Sequence, residues 1–175
     1  MSARTKARKR ALDILFSSDV RGDELGVTLA AEAKRAVSEP AREASWLYAR
    51  EIVDGIIDHR DEIDEQITTH SRDWKIERMP AVDRALLRIG VWEILHNAEV
   101  PTAVAIDEAV ELAKEFSTDD SGAFVHGVLV GKTRAGEGEL YGGLGAIAQG
   151  TWGDGDAGGY TSGRERDVDL EDAYL

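Results

Sequence analysis

The sequence predicts an all-α protein of about seven helices, and three observations carry that expectation. Apolar residues recur at helical spacing from residue 4 to about residue 132. No run shows the apolar–polar alternation of a half-buried strand. Helix start and stop signals fall between the periodic stretches, at Gly22, Pro40, Pro80 and Pro101. Of the 175 residues, 42% are apolar, enough to bury a core.

In chain order, residues 4–18 carry Ala7, Ala11, Ile14 and Leu15 as an apolar stripe beneath an Arg/Lys face, and Arg21-Gly22-Asp23 ends the stripe. A weaker helix over 25–37 would bury Leu25, Leu29, Ala33 and Val37. Pro40 opens a long helical stretch with Ala49, Ile52, Val53, Ile56 and Ile57 on its core side. It continues past a bend near His59 through Ile63 and Ile67. Met79-Pro80 starts a helix at 81–96 that is apolar around most of its circumference, leaving a strip with Asp83, Arg84 and Arg88, so it should be central. Pro101-Thr102 opens the next, with Ala105, Ile106, Ala109, Leu112, Ala113 and Phe116 on one face and Asp107, Glu108, Glu111 and Glu115 on the other. Ser117 to Asp120 fits a capping box, and the last helix carries Phe124, Val125, Val128 and Leu129, ending near Gly131-Lys132.

Residues 134–175 differ in kind. Eleven of the eighteen glycines fall between 136 and 163, and the remainder is acidic, so this segment is expected to be a flexible tail after a domain of residues 1–133. The absence of cysteine excludes a disulfide scaffold, a thiolate metal site and a cysteine nucleophile. The longest uncharged stretch, Leu140–Gly153, is too short to span a bilayer, and the N-terminus has no secretory pattern, so a cytoplasmic protein without membrane contact is expected.

Net charge is −13, unevenly spread. Residues 1–10 hold Arg4, Lys6, Arg8, Lys9 and Arg10 and no acid. A basic tip on an acidic body points to a localised polyanion contact; from charge alone, a frayed and solvated terminus is the commoner reading. Cations leading into Phe16 would suit single-stranded RNA, which needs phosphate neutralisation and a stacking platform, although Phe16 fits a core position equally well.

Other motifs are weak. Gly143-Leu-Gly145-Ala-Ile-Ala148 matches a dinucleotide fingerprint by letter but follows no strand. Gly127 to Lys132 is one residue short of a phosphate loop and lies within a helical pattern. His59, His70, His96 and His126 show no metal-ligand spacing, and Asp119 and Asp120 read as cap and dipole partners. No residue set combines a nucleophile, a base and an orienter, so neither an enzyme, a metal site nor a cofactor is expected.

The wording of the chain adds to this. The runs VDRALLRIGVWEIL at 82–95 with Val100-Pro101, AVAIDEAVELAKEF at 103–116 and DSGAFVHGVL at 120–129 resemble the C-terminal half of the NusB family of bacterial transcription antitermination factors. ARKRALDILF at 7–16 resembles that family's arginine-rich first helix. The resemblance implies two packed helical subdomains, about 1–75 and 76–133. It also implies binding to the boxA element of nascent ribosomal RNA with the ribosomal protein NusE, within an RNA polymerase antitermination complex; some members also self-associate. By position it assigns RNA contact to Arg4, Lys6, Arg8, Lys9, Arg10, Phe16, Asp120 and Phe124, with Arg88 as an addition. The acidic surface would suit a basic ribosomal protein, with Glu77, Asp83 and the acids of 107–115 as candidates. Two departures from the family pattern stand out: Phe16 occurs where tyrosine is common, and Gly122-Ala123 where a polar or basic pair is common. The competing expectation is an acidic helical adaptor or homodimer that binds proteins only.

Overall fold

The structure is a computed structural model and describes residues 1–72 and 74–136, with side chains through residue 131. The Gly143–Ala148 motif and the expected tail lie outside the described residues, apart from the tail's first three positions, which continue the last helix. Among the described residues there are seven α-helices and no strand: α1 (Ala3–Arg21), α2 (Leu25–Val37), α3 (Glu43–Asp58), α4 (Arg60–His70), α5 (Ala81–His96), α6 (Thr102–Phe116) and α7 (Ser121–Gly136). Among the described residues, no helix is long and apolar enough to cross a membrane.

The helix ends follow local chemistry. The Ser2 hydroxyl accepts the Thr5 N–H at 3.0 Å and starts α1. Gly22 ends it with φ at +70°, a left-handed conformation that glycine adopts without a Cβ penalty. His59, with φ −118° and ψ 23°, is the bend between α3 and α4. Pro40 opens a 3-10 turn, Pro40–Arg42, rather than the long helix itself.

Eleven of the sixteen residues of α5 are buried, as its near-uniform apolarity requires, and the helix packs against α1, α3, α4, α6 and α7. Gly55 permits the α3–α5 contact, because an added Cβ would lie 1.9 Å from Trp92 Nε1. On one side of α5, α1 packs on α2 and α3. On the other, α7 packs on α6 and α4, and one continuous core joins both sides.

Two expected core residues are not in it. Val37, the last residue of α2, is 84% exposed because the helix has run past its support, and Ile57 is 39% exposed because it lies about 100° around the helix from buried Ile56. The strip on α5 is corrected more sharply: Asp83 and Arg88 are buried, since neighbouring helices surround that helix on every side.

Candidate nucleic-acid interface

The basic start of α1 divides into one buried cation and a rim of accessible ones. Arg8 is only 2% exposed, lying on the same face as Leu12, Leu15 and Phe16 at i+4, i+7 and i+8. Its Nε donates to both carboxylate oxygens of Glu93 at 2.9 and 3.0 Å, and Nη1 is 3.6 Å from Glu108. Tyr48 donates its hydroxyl hydrogen to the same Glu93 and accepts from Asn97 Nδ2 at 3.1 Å. Burial acts to lower the Arg8 pKa, but the hydrogen bond and charge of Glu93 outweigh it and leave the guanidinium above its ordinary value. Burial and the Glu93 hydrogen bond push the Tyr48 phenol well above its usual range, so it remains a donor. Arg8, expected at the RNA, is therefore the centre of a buried network that ties α1 to α3 and α5.

Around it, Arg4 and Lys6 are exposed, while Lys9 and Arg10 are partly so. Arg4 Nη2 lies 3.3 Å from Glu99, Lys9 Nζ 2.6 Å from Glu115, and Arg10 Nη2 4.0 Å from Glu39. Two half-buried rings sit beneath these cations: the Arg4 guanidinium is 5.5 Å from the Tyr48 centroid, and Lys9 Nζ is 4.8 Å from the Phe116 centroid. Sequence reasoning missed both rings. Tyr48 is the only tyrosine before residue 134, which was a usable signal, whereas Phe116 read as an ordinary core position.

The expected platform of Phe16 and Phe124 is not formed. Phe16 is 7% and Phe124 5% exposed. Phe16 belongs to α1; Phe124, on α7, packs edge-on against Trp74 of the α4–α5 connection with centroids 4.8 Å apart, and α5 packs against both α1 and α7. Arg88 is likewise drawn inward. Its Nε and Nη2 donate to the two oxygens of Asp64 at 2.8 and 3.0 Å, and Nη1 is 3.6 Å from Asp19. With Arg84, Ile76 and Glu77 these residues line a cleft of about 260 Å³.

Asp83, expected to meet a protein partner, is fully buried and accepts from the Ser117 and Ser121 hydroxyls at 2.6 and 2.9 Å, which locks the α6–α7 turn onto α5. Ser117, expected as the cap of α7, thus spends its hydroxyl on Asp83. Asp120 is exposed at the start of α7, and Glu77 is exposed at the cleft rim. The arrangement suits polyanion binding at the α1 rim: exposed ion pairs are worth only about 0–1 kcal/mol, so phosphates can displace Glu99, Glu115 and Glu39 at little cost.

Comparison with known proteins extends the picture. The sequence pattern of the NusB family matches residues 5–134. A transcription antitermination protein NusB from Leifsonia xyli subsp. xyli is 69% identical over 129 residues, a span covering 74% of this chain and 90% of that protein. Its counterpart in Clavibacter sepedonicus is 62% identical over 129 residues, covering 74% of this chain and 94% of that one. Among solved structures, NusB of T. maritima superposes with a TM-score of 0.65 at 30% identity, covering 77% of this chain and 92% of that chain. A chain from the crystal structure of antitermination factors NusB and NusE in complex with double-stranded RNA has a TM-score of 0.65 at 31% identity, covering 77% and 98%.

Proposed function

The chain belongs to the NusB family, an antitermination factor by descent, and from that premise we propose that it is a non-catalytic subunit that binds the boxA element of nascent ribosomal RNA together with NusE. The observation that carries this reading is Arg4 beside Tyr48 and Lys9 beside Phe116, with the accessible cations Lys6 and Arg10 on the same helix. Cations neutralise phosphates, and ring faces give an unpaired base somewhere to stack. The solved complex of NusB and NusE with double-stranded RNA supports RNA and NusE as the partners.

In this reading Arg8 acts indirectly. Its bond to Glu93 fixes the roll of α1, so that Lys6, Lys9 and Arg10 turn away from the core while Arg4, one turn before Arg8, stays accessible at the helix start. Asp120, an acceptor, meets a base-edge or 2′-hydroxyl donor rather than a phosphate. The exposed acids Glu77, Asp107, Glu111 and Glu115 offer complementary potential to a basic ribosomal protein.

The deciding experiment is fluorescence anisotropy of matched and scrambled boxA RNA, with and without NusE, across a salt series. Matched RNA should bind more tightly, with log affinity falling by about 0.7 per neutralised phosphate against log salt. The Arg4→Ala/Lys6→Ala/Lys9→Ala variant should flatten that slope by about 2. Equal binding of matched and scrambled RNA by a folded chain with NusE present would leave the protein-only adaptor as the correct description.

A further inference from the structure

Two of the four histidines, far apart in sequence, meet at the surface at the α3–α4 bend. His59 is the bend residue, Glu62 lies in the first turn of α4, and His96 is the last residue of α5. The sequence spacing of the histidines hides this, because α5 brings His96 back across 34 positions to meet Glu62. One donor atom from each of the three residues lies within 4.8 Å of the others.

We infer that His59, Glu62 and His96 form a binding site for a divalent transition-metal ion, Zn²⁺ being the representative case. Glu62 Oε2 is 3.1 Å from His96 Nε2 and 3.6 Å from His59 Nδ1. Bonds of about 2.0–2.1 Å in a tetrahedral site put neighbouring donors about 3.3 Å apart; the two carboxylate–imidazole edges bracket that value, and the imidazole–imidazole edge lies within 4.8 Å. The donor set of two imidazoles and one carboxylate selects zinc, nickel or copper over magnesium or calcium. All three side chains are partly exposed, at 42%, 50% and 23%, which gives the ion an open entry path and leaves its fourth position to water.

The same residues form a stack and a hydrogen-bond contact: the imidazole rings lie 3.8 Å apart at 16°, and His96 Nε2 faces Glu62 Oε2 at 3.1 Å. Stacked rings aim their lone pairs nearly parallel, so coordination requires rotation about χ2 that opens the stack. Few other groups compete. The chain has no cysteine, His70 Nδ1 is engaged with the Gln66 carbonyl at 2.7 Å, and His126 lies on α7. An ion here would tie the start of α4 to the end of α5. At a hundred times its dissociation constant it would raise the folded-to-unfolded ratio about 100-fold.

The test is calorimetric titration of the full, untagged, chelator-treated chain with ZnCl₂, followed by cobalt substitution and thermal unfolding. One ion per chain should bind, Co²⁺ should give the visible bands of a tetrahedral site, and Zn²⁺ but not Mg²⁺ should raise the unfolding temperature. His59→Ala and His96→Ala should each abolish the stoichiometric step with the helical circular dichroism intact, Glu62→Gln should weaken it at least tenfold, and His126→Ala should preserve it. In two-dimensional NMR, Zn²⁺ should shift the His59 and His96 ring resonances before those of His70 or His126. No stoichiometric step in the parent chain, or the same step retained in the two folded histidine variants, overturns the site and leaves the stack as a plain helix-to-helix contact.

Discussion

The start of α1 and the middle of α5 both set arginines against acids from other helices, but the two regions use their charge in opposite ways. At α1 one cation, Arg8, is sunk against Glu93, and its neighbours at positions 4, 6, 9 and 10 remain accessible, two of them beside rings. At α5 both arginines are consumed. Arg88 is held by Asp64 and Asp19, and Arg84 binds Asp19 at 3.1 Å and the carbonyls of Ile76 and Met79 at 3.0 and 3.1 Å. A helix end can hold one charge inside and offer the rest to a ligand, whereas a helix packed on all sides must satisfy its buried charges with counter-charges or hydrogen bonds. That is why the cleft beside α5, though lined by two arginines, is a structural junction and the α1 rim is the binding candidate.

Arg8→Ala is the harshest test of the contrast. It leaves Glu93 buried and uncompensated, so urea unfolding should show a loss of about 3–5 kcal/mol; a variant as stable as the parent would mean that the network does not hold α1. Arg88→Ala should cost less, about 1.5–3 kcal/mol by the same measurement, because Asp64 is partly exposed and keeps Arg60 at 3.1 Å. Its RNA salt slope should match the parent's, and a flattened slope would move the binding surface to the cleft.

Lys9→Ala should reverse the pattern. Stability should change by less than about 1 kcal/mol, since the Glu115 pair is partly exposed. The slope of log affinity against log salt should flatten by about 0.7. The smallest effect lies outside both regions, at His126 on α7. Burial holds its pKa below the ordinary value, with Asp107 partly opposing and Lys114 reinforcing the shift. The unfolded chain therefore binds more protons below about pH 6.5, and this residue's contribution to stability should fall as the pH drops through that value. His126→Gln should remove that component from the pH dependence of thermal unfolding without touching RNA binding.

Much of the fold was legible because helical periodicity is a local property. The expected helices at 25–37 and 81–96 have the observed bounds, and the bend at His59 separates α3 from α4. The 3-10 turns at Pro40–Arg42 and Ile76–Arg78 were not legible, since three residues are too few to show a period. The candidate site was half legible. The cations of α1 stood out by composition, but Arg8 looked like its neighbours although it shares a face with Leu12 and Phe16. Tyr48 and Phe116 joined the rim only because α3 and α6 flank α1, a contact that residue spacing does not encode.

By itself, then, the sequence determined most of the helices, the glycine stop of α1, the central place of α5 and the family, because each depends on neighbours within a few positions or on the order of letters. Only tertiary structure decided which charges face water. Burial of Arg8, Arg88 and Asp83 depends on what packs above them, and their partners Glu93, Asp64, Ser117 and Ser121 lie 24 to 85 residues away. A charge enters the interior only where a distant partner arrives to match it, and that arrival is a property of the assembled fold.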